Sequence, residues 1–188
     1  MRTLTAYNFI TLNGLFKGPQ EDISWHTHGG EEEQYSVQSL QGDSMLLFGR
    51  NTYDMMAGFW PTPAAAAQSP EVAAGMNRAE KIVFSRQSFT PQWANTRLIG
   101  GDIVREVRAL KATPGKNMTI LGSGSIITLF SEYGLIDEYQ FMIDPVAIPD
   151  GTPVFAGITT KLALELTASR RFESGVMLVS YRPVGRHA

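Results

Sequence analysis

Leu46-Leu47-Phe48-Gly49-Arg50-Asn51-Thr52-Tyr53 is the stretch on which the reading of this chain turns. An apolar run ends in glycine, an arginine and two small polar side chains follow, and a helical pattern takes over. That order reads as a strand feeding a helix N-terminus, where unpaired backbone N–H groups and the positive end of the helix dipole favour an anion. Arg50 adds a planar, permanently charged fork suited to phosphate. A second strand–turn–helix of this kind stands at Thr119-Ile120-Leu121-Gly122-Ser123-Gly124-Ser125. Two anion cradles in one small chain point to a ligand with more than one phosphate, that is, a dinucleotide or nucleotide cofactor.

On the N-terminal side, Leu4, Ala6, Phe9, Ile10 and Leu12 are spaced as in a mostly buried strand that Asn13-Gly14 breaks. The stretch from there to Gly30 reads as a loop. Loops of that length in compact domains serve as lids or binding loops. Glu31 to Leu40 reads as a helix with acidic residues in its first turn, and Met45 to Phe48 as a short buried strand. On the C-terminal side, Arg50 to Ala57 is a helix stopped by Gly58. Phe59 to Pro70, with its prolines and alanines, is a loop, and Glu71 to Asn77 a short helix. Lys81 to Phe84 and Arg97 to Ile99 are strands. Asp102 caps a helix carried by Ile103, Val107 and Leu110. Met118 to Leu121 is a strand, and the glycine turn after it opens a helix closed at Gly134. Glu138 to Val146 is a long strand. Leu162 to Phe172 and Val176 to Tyr181 form a hairpin around Glu173-Ser174-Gly175. Strands and helices alternate first, and an antiparallel pair finishes the chain. The expected fold is a single α/β domain over residues 1–188, a three-layer sandwich around a mixed, mostly parallel sheet with a C-terminal antiparallel hairpin.

Composition narrows the function. The 188 residues suffice for one well-cored domain. A net charge of −2 gives no support for a nucleic-acid or membrane partner. The absence of cysteine removes disulfides and thiolate metal sites and fits a cytoplasmic protein. No signal-peptide pattern is seen, and no apolar run approaches the ~20 residues that span a bilayer. His26 and His28 form a His-x-His pair without further ligands nearby, so no metal site is expected. Met55 and Met56 read as core.

Ligands of such sheets bind beyond the carboxyl ends of the strands. Three strand ends carry suitable groups: Gly49 to Thr52, Ser85-Arg86, and Gly122 to Ser125. The glycines at 122 and 124 let backbone approach a pyrophosphate. Arg50 and Arg86 together favour a cofactor with a 2′-phosphate. The spacing is neither the Gly-x-Gly-x-x-Gly dinucleotide fingerprint nor a phosphate-binding P-loop.

These pieces resemble the dihydrofolate reductase-like superfamily, above all the reductase domain of bacterial riboflavin biosynthesis and its stand-alone relatives. The matching segments run almost end to end: Thr11 to Gly14 with Trp25 after it, Leu47 to Tyr53, Lys81 to Arg86, Ile120 to Ser125, Gly134 to Tyr139, Asp144 to Val146, and Gly151 to Phe155. The resemblance implies an NADPH-dependent reductase transferring a hydride to a small heterocyclic substrate, pyrimidine-ribosyl or pterin-like. It implies that Gly49, Arg50, Asn51, Thr52 and Gly122, Ser123, Gly124, Ser125 hold the cofactor's phosphates and that Ser85 and Arg86 lie by the 2′-phosphate. The loop with Asn13, Gly14, Phe16 and Trp25 covers the nicotinamide. A homodimer through the C-terminal strands is implied as well. Ile148-Pro149-Asp150-Gly151 departs from the family's glycine-rich turn, and with no cysteine to bind metal the zinc deaminase half of riboflavin enzymes is not expected in these residues. Counting back from Gly49 places Glu33 where folate reduction needs its acid, with Glu31 and Glu32 as alternatives. No arginine matches the folate-tail clamp, Arg78 being one position out of register. The alternatives to the riboflavin-type reductase are dihydrofolate reductase proper and a nucleotide-binding module without turnover.

Overall fold

The computed structural model describes residues 1–26, 29–42 and 44–185. In chain order the strands are β1 (Leu4–Thr11), β2 (Leu15–Lys17), β3 (Met45–Gly49), β4 (Lys81–Phe84), β5 (Thr96–Ile99), β6 (Met118–Leu121), β7 (Glu138–Asp144), β8 (Thr152–Pro153), β9 (Leu164–Arg171) and β10 (Met177–Pro183). The helices are α1 (Gly30–Gln41), α2 (Arg50–Phe59), α3 (Pro63–Gln68), α4 (Pro70–Arg78), α5 (Ile103–Ala112) and α6 (Gly124–Glu132).

Eight strands form one sheet in the order β5-β4-β3-β6-β1-β7-β10-β9. The first six of these run parallel. β10 is antiparallel to both β7 and β9, as the C-terminal hairpin predicts. β3 is buried at all five positions because both faces of the sheet are covered. Leu46 and Phe48 pack with Tyr53, Val72, Met76 and Trp93 on the side of α1, α2 and α4. Leu47 packs with Val104, Val107, Ile127 and Phe130 on the side of α5 and α6. This is the three-layer α/β arrangement expected.

The order of connections creates the site. From β1 the chain crosses by α1 to β3, and from β6 it crosses by α6 to β7. The two helices cover opposite faces, so a crevice opens at the carboxyl ends of the adjacent strands β1 and β6, a topological switch point.

Three segments differ from the expectation. The span from Phe59 to Pro70 contains α3, because Thr62 caps it by accepting from the Ala65 N–H at 3.3 Å and the alanine run favours helix. Helix α2 runs through Gly58 to Phe59; an exposed glycine costs helix stability without ending the helix. The loop after β1 carries β2, paired antiparallel with β8, and a 3-10 turn at Pro19–Glu21. Among the described residues, no helix is long and apolar enough to cross a membrane.

Candidate active site

The two glycine turns lie side by side. The Gly49 N–H donates to Ser123 Oγ at 2.8 Å in a buried hydrogen bond. Gly122 has φ +60°, and a Cβ there would stand 3.1 Å from Thr52 Cγ2, so the β6 turn presses against the first turn of α2. Ser123 also adopts a left-handed conformation, φ 64°. Neither α2 nor α6 has a side-chain cap at its N-terminus. Their first N–H groups are therefore available to a ligand, and both dipoles favour negative charge at one place. Phe16 crosses this place: a Cβ on Gly124 would be 2.7 Å from its ring.

The tip of β4 adjoins the tip of β3, with Phe84 opposite Gly49. Ser85 Oγ closes a turn with Gln87, and Arg86 is exposed. Arg50 has a different setting from that of a free phosphate hook. Its Nε donates to Asp54 at 2.7 and 2.9 Å, and its guanidinium lies 3.6 Å from the centre of the Phe89 ring. The Nη groups keep donor capacity, and the arginine bridges α2 to the loop that carries Arg86. Asn51 is exposed in the first turn of α2.

Beside these turns lies a cavity of about 620 Å³. Thr5, Tyr7 and Phe9 of β1, Thr119 and Leu121 of β6, and Gln140 of β7 form part of its lining. Tyr35, Ser36, Ser39 and Leu40 of α1 close one side, and Met55, Met56, Phe59 and Trp60 another. Phe16, Lys17, Glu21 and Ile23 come from the loop after β1. Met55 and Met56 are thus cavity wall rather than closed core. Asn8 sits in the crevice between β1 and β6 and is buried, and its Nδ2 has no hydrogen-bond partner. The Tyr7 hydroxyl is buried and makes no hydrogen bond of normal geometry, with the Ser36 side chain beside it. Burial pushes the Tyr7 phenol far up from its ordinary range, so it stays protonated. Burial also raises Tyr35.

Of the loop residues expected over the cavity, Phe16 is there. Asn13 instead holds the loop's base: it accepts from Thr11 Oγ1 at 2.7 Å and donates to the Ile148 carbonyl at 2.9 Å. Gly14 supplies the left-handed turn, φ 80°. Trp25 is half-buried and edge-on to His26, off the cavity lining. His26 is buried, lies within 2.9 Å of the Asp144 carboxylate through Nδ1, and stacks on Phe9 at 3.7 Å. It ties the loop to the end of β7. His28 falls outside the described residues.

The acid expected on α1 is not brought to the cavity. Glu33 is half-buried and is not part of the lining. Glu31 accepts from the Glu173 N–H at 2.8 Å, which holds its carboxyl below the usual range, and from Arg170. Glu32 is buried and accepts from the Ser174 hydroxyl. The acidic turn therefore anchors the C-terminal hairpin. Sequence periodicity did not single out Tyr7 and Asn8, because a polar atom in a strand has the same spacing whether it meets solvent, core or a cavity.

A dinucleotide fits this site on two observations: the paired uncapped helix N-termini and the unpartnered Asn8 amide in the crevice beside them. Comparison with known proteins agrees with the architecture. The chain is 29% identical over 173 residues to the uncharacterized protein YyaP of Bacillus subtilis, covering 92% of this chain and 90% of that one. It superposes with a TM-score of 0.69 on a diaminohydroxyphosphoribosylaminopyrimidine deaminase/5-amino-6-(5-phosphoribosylamino)uracil reductase from Thermotoga maritima, at 14% identity, covering 97% of this chain and 56% of that one. It superposes with a TM-score of 0.65 on dihydrofolate reductase from Enterococcus faecalis, a structure complexed with NADP(H), at 17% identity and over 97% and 96% of the two chains. The fold is that of dihydrofolate reductase. The family model described as the RibD C-terminal domain matches residues 2–178, and the chain belongs to that family.

Proposed function

We propose that the protein is an NADPH-dependent reductase of the riboflavin-reductase type, acting on a small heterocyclic substrate. Family membership supports an oxidoreductase. The observation that carries the cofactor is the convergence of two uncapped helix N-termini, joined by the Gly49–Ser123 hydrogen bond, at the edge of an apolar cavity. Two phosphates fit two adjacent sets of free N–H groups. In this reading Asn51 and Thr52 on one turn and Gly122 to Ser125 on the other hold the pyrophosphate, while Gly49, its N–H taken by Ser123 Oγ, joins the two turns. Arg50, Ser85 and Arg86 face the 2′-phosphate.

NADPH, when bound, supplies the hydride and leaves as NADP⁺. The chain's own residues do the rest. Phe16 and the loop pinned by the His26–Asp144 pair exclude water from the cavity. Asn8 donates into the crevice, and β1 and α2 set the two reactants against each other. Alignment of this kind accounts for much of the acceleration in hydride transfer. Solvent delivers the balancing proton, because Glu33 lies off the lining and Glu21 is paired with Lys17.

The test is a fluorescence titration with NADPH, read on Trp60 at the cavity wall. Saturable binding that NADH matches only at much higher concentration is expected. No binding of either nucleotide overturns the proposal. The same reading includes a homodimer through β9, an edge strand exposed from Glu165 to Arg171. Sedimentation equilibrium decides that part.

A further inference from the structure

The cavity's charges and the Tyr7 hydroxyl bear on the substrate it takes. Among the described residues, Lys17 and Glu21 are the only charged side chains in the lining, and they form an ion pair with each other. The remaining wall is apolar, as at Met55, Met56 and Trp60, or neutral and polar, as at Thr5 and Gln140. Arginines stand at the cofactor end, at Arg50 and Arg86, outside the lining. A phosphate or carboxylate carried into this space loses its water and meets no unpaired cation, which is the costly case for a buried charge. A neutral ring avoids that loss. One donor of the cavity wall is left without a hydrogen bond of normal geometry, the Tyr7 hydroxyl beside Ser36, and a carbonyl oxygen is what it lacks.

We propose that the substrate of this cavity is an uncharged, unphosphorylated planar ring bearing a carbonyl, whose oxygen accepts a hydrogen bond from the Tyr7 hydroxyl. This rests on the reductase reading for the identity of the cavity as the substrate half of the site. It separates the protein from enzymes whose substrates carry a ribosyl phosphate or a folate tail: phosphate recognition is kept for the coenzyme. The cavity's 620 Å³ is in the range of sites that enclose small ligands and leaves room for a bicyclic ring beside a nicotinamide.

The test uses a matched pair of probes, naphthoquinone and naphthoquinone sulfonate, which differ by one anionic group. The chain has no cysteine for a quinone to alkylate. Each probe is titrated calorimetrically into the whole protein, with and without NADPH, for the wild type and Tyr7→Phe. The sulfonate is expected to bind at least about tenfold more weakly than the neutral ring, as for an unpaired buried charge. Tyr7→Phe is expected to weaken the neutral ring roughly fivefold, the loss of one hydrogen bond, with no fall in melting temperature. Equal or tighter binding of the sulfonate overturns the proposal, as does an unchanged affinity in Tyr7→Phe or no binding of the neutral ring. NADPH binding in the same samples separates the two readings. If NADPH binds and the neutral ring does not, only the substrate inference falls. If NADPH does not bind, the reductase reading falls, whatever the probes do.

Discussion

The Gly49 N–H and Ser123 Oγ meet at 2.8 Å and join the carboxyl ends of two strands that lie next to each other in the sheet but 74 positions apart in the chain. Ser123 reaches Gly49 because its own backbone is left-handed and turns the side chain back across the tip of β6. Replacing Ser123 by alanine leaves a buried N–H without an acceptor. Urea unfolding should show a loss of about 1–3 kcal/mol. A change below the resolution of the measurement would mean that the two turns are held together by packing alone.

Gly124 and Phe16 are coupled by lack of space. A Cβ at Gly124 would lie 2.7 Å and 2.9 Å from two atoms of the Phe16 ring. Gly124→Ala should displace the ring and lower stability, and Phe16→Ala should remove most of that penalty. A double-mutant cycle is expected to give a coupling of about 1 kcal/mol. Strictly additive effects would show that the ring moves away freely.

Arg50 is held by Asp54 and by the face of Phe89, so its position is set before any ligand arrives. Arg50→Ala should weaken NADPH binding roughly ten- to a hundredfold, the range for losing a charged hydrogen-bond donor. Arg50→Lys should recover little, because lysine has no planar fork and does not stack. An NADPH affinity unchanged in Arg50→Ala would remove Arg50 from the cofactor site.

Lys81 is buried beneath α4 and donates to the carbonyls of Met76, Asn77 and Ala79 at 2.8, 3.3 and 2.6 Å. Burial pushes its ammonium down from the ordinary 10.5 to about 8. Between those values the unfolded chain holds this proton more tightly than the folded one, so stability should rise as pH is raised from about 8 towards 10.5. Lys81→Met should abolish that component of the pH dependence. It should also lower stability near neutral pH, because the helix-end carbonyls lose their donor. Parallel unfolding curves for wild type and variant across that pH interval would refute the shift.

Much of the site was legible in short range. Gly49-Arg50 and Gly122-Ser123-Gly124 announce strand–turn–helix joints because an apolar run followed by a residue free of a bulky side chain has few other uses. The Glu173-Ser174-Gly175 turn was equally plain. Glu33 stands off the cavity lining, and the sequence does not show this, because a carboxylate in a first helical turn looks the same whether it serves a reaction, the dipole or, as its neighbours Glu31 and Glu32 do, a distant hairpin. Met55 and Met56 read as core from sequence because apolar spacing does not tell a packed wall from an open one.

The sequence by itself therefore determined the main-sheet strands, most helix starts and the antiparallel finish, but not β2, β8 or α3, since backbone propensity and the alternation of apolar side chains act over a few residues. Tertiary structure alone decided that α1 and α6 leave opposite faces at β1 and β6, and that Tyr7, Asn8 and Trp60 meet around one cavity while Glu33 does not. Such a cavity is a property of what the packing leaves unfilled. Its lining comes from strands and helices far apart in the chain, and no local pattern records their distance.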